Sequence, residues 1–230
     1  MTGLVRDLNS RPAWVGLGAI AAVGLTHLLD YGAFDLKYRL FDANRVESWS
    51  HILDAAALAA GTAVCVAGAR RTEKRSGARR AWAITATVLA LFVLDEASGL
   101  HSRIGDLHNG KLLYAPILVV LAYCIWRLTR DGRHVGQVRA AAALLVCAYA
   151  IHVLDPHRIA RTLGWPHESW AFQVVVALKE GTELAGVLLA LLALTAAAAA
   201  AAAHGRPLAA PQQASVRTTS SRSRRTLSGR

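Results

Sequence analysis

The sequence has little charge and little sulfur. Only 18% of its 230 residues are charged, against about 25% in a typical soluble domain, while 54% are hydrophobic. Cys65, Cys124 and Cys147 all lie inside apolar runs, which excludes a zinc knuckle or a disulfide framework and predicts inert, buried thiols. With Met1 as the single methionine, a copper(I) site is also excluded. This composition is typical of a membrane protein.

Six apolar runs approach or exceed the roughly 17 to 25 residues that cross a hydrocarbon core. We place helices at residues 13–30, 51–68, 81–100, 112–128, 138–155 and 171–195. The predicted fold is all-α, a polytopic transmembrane bundle of six helices in one domain at residues 1–204. Alanines at 196–203 extend the last helix, and the basic, Ser- and Thr-rich segment 205–230 predicts a disordered cytoplasmic tail.

The net charge of +11 belongs mainly to one side of the predicted bundle. Lys and Arg are concentrated before the first helix, between the second and third, between the fourth and fifth, and in the tail. The positive-inside rule therefore predicts that both termini are cytoplasmic. The tail arginines favour contact with anionic lipid. Nucleic-acid binding is excluded, because no supporting fold or aromatic platform accompanies the charge.

Acids and histidines fall at one level of this bundle, on the outward side. The first, third and fifth helices end with Asp30, Asp95 and Asp155, and the second and sixth begin on the same side. Charged groups in a membrane segment usually face a bundle interior or a partner charge, because burying one in hydrocarbon costs a few kcal/mol. We therefore expect a shared polar interior that opens outward.

Several of these residues are spaced three apart, so that each pair shares a helix face. The pairs are His27 and Asp30, His51 and Asp54, His152 and Asp155, and Glu180 and Glu183, and Glu47 would extend the second pair to a stripe over two turns. Such a pair can bind one ion, or its carboxylate can orient the imidazole. Lys179 supplies one positive charge and is expected to pair with Glu183 at i+4. Taken singly, any one pair is equally well explained as an ordinary helix boundary.

The motif Leu94-Asp95-Glu96-Ala97, followed by His101, resembles a group of uncharacterised bacterial polytopic membrane proteins that carry Leu-Asp-Glu-Ala and a histidine at a helix end. The similarity extends to residues 41–54 and 180–184. It implies no known activity, and it implies a multi-pass protein of the bacterial plasma (inner) membrane.

A more distant resemblance is to the membrane hydrolase superfamily of alkaline ceramidases and progestin-type receptors. It is carried by Leu94-Asp95-Glu96 and Ser50-His51, and it implies histidines, an aspartate and a serine around an intramembrane zinc. The chain departs from that superfamily because it has six predicted helices rather than seven. It also has Glu180 and Glu183 where the superfamily has a late His-x-x-x-His pair.

These observations predict a membrane protein with a divalent metal, zinc, manganese or iron, in an outward-facing site. The expected metal ligands are His51, Asp54, Asp95, His101, His152, Asp155 and Glu180. If the site is catalytic, the metal would activate water against a lipophilic substrate, with Glu96 or Glu183 as the base.

Two other functions stay open. One is a proton- or cation-coupled carrier, although no inverted repeat or broken helix surrounds the acids. The other is a non-catalytic accessory protein whose polar residues fix helix packing. Lys179 and the histidines also leave retinal and haem binding open. The expected partners are the lipid bilayer and a lipophilic small molecule or a cation.

Overall fold

The computed structural model describes residues 2–43, 45, 47–98, 114–130, 135–166 and 169–204. Within these ranges the chain is all-helical, with seven helices and no strand. They are α1 (Thr2–Phe34), α2 (Trp49–Arg71), α3 (Gly77–Ser98), α4 (Tyr114–Thr129), α5 (Val135–Leu154), α6 (Pro156–Leu163) and α7 (Trp170–His204). Each of the six predicted helices corresponds to one of these elements, and α6 is additional.

Five of the helices, α1, α2, α3, α5 and α7, are long and apolar enough to cross a membrane. In α4 the described residues form a shorter apolar helix of 16 residues. The prediction of an all-α fold is confirmed for the described residues, and five of the helices have the length and composition that membrane crossing requires. α1 begins at Thr2 rather than at residue 13, and α7 includes the predicted alanine extension. The predicted tail at 205–230 lies outside the described residues.

Large apolar side chains cover the outer surface of the bundle. Val119 of α4 and Val146 of α5 are 68% and 67% exposed, and Leu25 of α1 is 61% exposed. A soluble monomer rarely exposes apolar surface so continuously, whereas hydrocarbon chains solvate it without cost. Cys147 lies on this surface too, so the prediction that all three thiols are buried is wrong for this residue.

α6 follows from the sequence Asp155-Pro156. The proline cannot continue α5, which ends at Leu154, but its fixed φ suits the first position of a new helix. Asp155 adopts a positive φ of 63° and its side chain accepts a hydrogen bond from the backbone N–H of His157, as the N-cap of α6. Gly164 ends this helix in the left-handed conformation that glycine adopts without strain.

α7 is the central element, because it packs against α1, α2, α4, α5 and α6. Small residues permit its close approach. A Cβ atom on Gly181 would lie 3.1 Å from the backbone of Ile20 in α1, and one on Gly186 would lie 2.6 Å from Leu145 in α5. We call the end of the bundle at which α2 and α7 begin, and α1, α3 and α5 end, the site end.

Gly68 of α2 lies so close to Trp82 that a larger side chain at this position would disturb the packing. We expect Gly68→Leu to lower the free energy of unfolding by about 1–3 kcal/mol, because a Cβ there would lie 2.7 Å from the buried ring of Trp82. Gly18→Leu is the matched control, since nothing lies within 4 Å of its Cβ position. Thermal unfolding in detergent measures both. Equal melting temperatures would contradict this packing.

Candidate functional site

The start of α2 places His51 inside the bundle. Ser48 is the N-cap, and its side chain accepts from the backbone N–H of His51 at 3.5 Å. The hydroxyls of Ser48 and Ser50 lie 2.9 Å apart and both residues are buried. A Ser N-cap satisfies one of the free N–H groups in the first turn, so the capped turn fixes the position of the imidazole.

His51 lies between two carboxylates from two other helices. Its Nδ1 is 2.9 Å from Oε2 of Glu96 on α3, at hydrogen-bond distance, and its Nε2 is 3.5 Å from Oε2 of Glu180 on α7. Lys179 Nζ lies 2.5 Å from Oε1 of Glu180. The expected partner of Lys179 was Glu183, and the structure instead gives it the adjacent glutamate.

A cavity of about 120 Å³ adjoins this network. Five helices line it. α2 contributes only His51, and each of the other four contributes residues spaced three or four apart, as one helix face requires. Its polar lining comes from His51, Asp95, Glu96, Tyr114, Tyr149, His152, Lys179 and Glu183. The Tyr114 hydroxyl donates to Oδ1 of Asp95 at 3.3 Å. The cavity therefore brings together side chains that are widely separated in the sequence.

In the part of the chain that the structure describes, acidic side chains outnumber basic ones around this cavity. Asp54 and Glu180 are 3% and 2% exposed, and Asp54 lies within electrostatic range of Glu96, Glu180 and Glu183. Oδ1 of Asp54 and Oε2 of Glu180 are buried and have no hydrogen-bond donor among the described residues. Carboxylates so close in a low dielectric cannot all be ionised without compensating charge. Among the described residues, Lys179 and His51 supply part of this compensation, and bound protons or a cation would add to it.

The structure brings most of the predicted site residues to this cluster. His51, Asp95, Glu96, His152 and Glu183 line the cavity, and Asp54 and Glu180 lie beside it. Asp155 is instead the N-cap of α6. His101 lies outside the described residues. Glu47 precedes α2 and is exposed, so the predicted stripe of two turns does not include it.

Two aromatic lining residues were missed by the sequence reasoning. Phe92 precedes Asp95 by three residues, and Tyr149 precedes His152 by three. The same i, i+3 rule that paired the acids with histidines would have found both. The ring of Phe92 stacks with that of Tyr114 at a centroid distance of 6.3 Å, which forms one aromatic wall of the cavity.

A second polar cluster at the site end involves His27, which is fully buried. The backbone N–H of Ala43 donates to its Nδ1 at 3.1 Å, so its Nε2 carries the proton and donates to Oε1 of Gln173 at 2.9 Å. Asp30 accepts from the N–H of Tyr38 at 3.3 Å. The His27–Asp30 pair therefore fastens the segment between α1 and α2, and both ring nitrogens are used in doing so.

The expected metal is not supported by the arrangement of these side chains. Among the described residues, no group of three or more His, Cys, Asp and Glu side chains has a geometry that could hold a metal ion. In particular, the donor set needed for the intramembrane zinc of the ceramidase-like superfamily is not found there. The cluster that is found contains a lysine and a histidine already paired with carboxylates.

Comparison with known proteins gives a family without an assigned activity. The family model described as "Domain of unknown function (DUF8692)" matches residues 12–199. No curated protein and no solved structure matches the chain. These findings lend no support to the resemblance to membrane hydrolases.

His27 gives a direct test of the second cluster. We expect His27→Ala to lower the free energy of unfolding by about 1–3 kcal/mol, because the buried N–H of Ala43 loses its acceptor. We expect His27→Asn to recover part of this loss, since its side-chain oxygen can accept the same bond. Backbone hydrogen exchange at Ala43 and thermal unfolding measure the effect. Unchanged protection of that amide in His27→Ala would show that the bond contributes nothing.

Proposed function

We propose that this chain, which belongs to the DUF8692 family of unknown function, is a multi-pass membrane protein that exchanges protons for a cation at an enclosed His/carboxylate site. The helices supply the membrane character, and the cavity supplies a place for the exchange. Of the functions that the sequence leaves open, the proton- or cation-coupled carrier agrees best with this geometry.

The arrangement of His51 between Glu96 and Glu180 supports this proposal most directly. An imidazole can gain or lose a proton near neutral pH, and each neighbouring carboxylate changes the energy of the charged form. Because positive charges repel one another in a low-dielectric interior, entry of one beside these groups favours release of another. A bound cation and a bound proton then compete for the same negative charge.

We further propose six crossings of a bacterial plasma membrane with both termini cytoplasmic. α4 would be the sixth crossing, and the basic segment between α2 and α3, with Arg70 and Arg71 at its start, would be cytoplasmic. The site end would then face outward. The basic tail would lie against anionic lipid.

Glu96 and Glu183 supply the test of this function, with Glu73 as control. In proteoliposomes with a pH-sensitive dye inside, we expect addition of a cation to drive proton movement through the parent protein. Glu96→Gln and Glu183→Gln should slow it by roughly tenfold, since linked sites are typically coupled by 1–3 kcal/mol. Glu73→Gln makes the same chemical change at an exposed position between α2 and α3 and should move protons as the parent does.

Two results would contradict proton exchange at this site. One is proton movement equal in all four proteins, and the other is proton movement in none of them while each keeps its native melting temperature. The melting temperatures matter because an acid-to-amide change can also disturb packing.

A metal-dependent hydrolase is the second candidate, favoured by one observation. Oδ1 of Asp54 and Oε2 of Glu180 are buried carboxylate oxygens that accept no hydrogen bond from any described residue, and oxygen ligands of this kind suit a divalent cation such as manganese. In this alternative Glu96 or Glu183 would act as the base for metal-activated water.

Elemental analysis of the detergent-purified protein tests this candidate. It predicts one zinc, manganese or iron ion per chain, lost in both Asp54→Asn and Glu180→Gln but kept in Glu73→Gln. Metal content at background in the parent, after purification with those ions present, would exclude it. That result would leave proton exchange as the way in which the buried acids are compensated.

A further inference from the structure

A second cavity, of about 110 Å³, lies deeper in the bundle than the first. Its walls are almost entirely apolar, and they are built from α2, α3, α4, α5 and α7. Deep in it lie Leu121 and Ile125 of α4 and Leu194 of α7, which belong to the largest buried apolar cluster. An apolar cavity of this order, about 150 Å³ in one engineered case, stays dry and binds a benzene-sized molecule.

The two cavities share part of their walls. Phe92, Leu118 and Leu145 line both, and so do the carboxylates of Glu96 and Glu183. Two acidic groups therefore lie where the polar cavity meets the apolar one. A ligand that occupied both cavities would have its polar group beside these acids and its apolar group beyond them.

We propose that the two adjoining cavities open into one site for a small lipophilic amine, with its protonated nitrogen between Glu96 and Glu183 and its apolar group in the deeper cavity. This inference rests on the proposed function and names the cation that the site exchanges. One ammonium group enters as one proton leaves, so that the total charge of the site is unchanged.

The charge and the aromatic lining of the polar cavity select a cation. A carboxylate or phosphate ligand would add negative charge to a site that already holds Asp95, Glu96 and Glu183. Lys179 and His51 line the same cavity and offset part of this charge, and a neutral alcohol would gain none of the attraction that the carboxylates offer a cation. The rings of Phe92, Tyr114 and Tyr149 line the same cavity, and aromatic faces attract ammonium groups within about 6 Å.

The volume of the deeper cavity limits the size of the ligand's apolar group. By comparison with the benzene-sized case, it accepts one ring or an alkyl chain of about six carbons. Hexylamine is therefore a suitable probe, with hexanol and hexanoate as probes of equal chain length that differ in charge. Calorimetric titration of the detergent-purified protein compares the three.

We expect hexylamine to bind and to release a proton, and we expect hexanol and hexanoate to bind at least about tenfold more weakly. Ala190→Leu fills the deeper cavity, which Ala190 lines, and should weaken hexylamine binding. Ala199→Leu is the matched control on the same helix, at an exposed position. The probe partitions into detergent equally in both samples. The difference between the hexylamine affinities of the two variants is therefore free of that contribution.

The outcomes separate the amine proposal from the function on which it rests. Proton exchange with inorganic cations but no hexylamine binding, or equal binding of hexanol, would overturn the amine proposal alone. Equal binding to Ala190→Leu and Ala199→Leu would also overturn it. Absence of proton exchange with every cation would overturn the proposed function, whereas charge-selective binding of hexylamine lost in Ala190→Leu would still establish the ligand class.

Discussion

The free-energy cost of an unbalanced charge in a low-dielectric interior is the constraint on which this structure depends. A single charged side chain at the centre of a bilayer costs about 3 kcal/mol even by the mildest scale. The chain nevertheless places Asp54, Glu180 and Lys179 inside the bundle. Their presence is possible only because α2, α3 and α7 meet there, and the contacts of His51 with Glu96 and Glu180 hold these three helices at one level.

The two polar clusters at the site end meet this constraint differently. His27 has a partner for each ring nitrogen, whereas Oδ2 of Asp30 in the same cluster is buried without a donor among the described residues. A side chain satisfied as His27 is rigidifies the fold. Around His51 the carboxylates outnumber the positive groups, and two of their oxygens have no donor among the described residues. The cluster around His51 also adjoins a cavity, and for that reason exchange of a proton or a cation is chemically reasonable there.

The sequence predicts the fold class and the level of the site, because both follow from regular periodicities. Alternating helix direction brings Asp95, His152 and Glu180 to one end, and i, i+3 spacing places side chains on common faces. The sequence does not predict which neighbouring residue each charged side chain contacts. Lys179 contacts Glu180 rather than Glu183, and Asp155 caps α6 rather than joining the site. Those choices depend on rotamers and on local backbone geometry, which hydropathy and spacing do not encode.

The position of the acids relative to the apolar core indicates that they serve ligand binding as well as packing. If the buried polar groups served packing alone, one hydrogen-bonded pair per helix contact would be enough, as His27 and Gln173 provide between α1 and α7. Instead Glu96 and Glu183 border both a polar and an apolar cavity, and open volume beside a charge weakens packing without any structural benefit. A fold keeps such volume at a cost to its stability. We therefore infer that the cavities are retained for a ligand, and that the charge at their junction determines its sign.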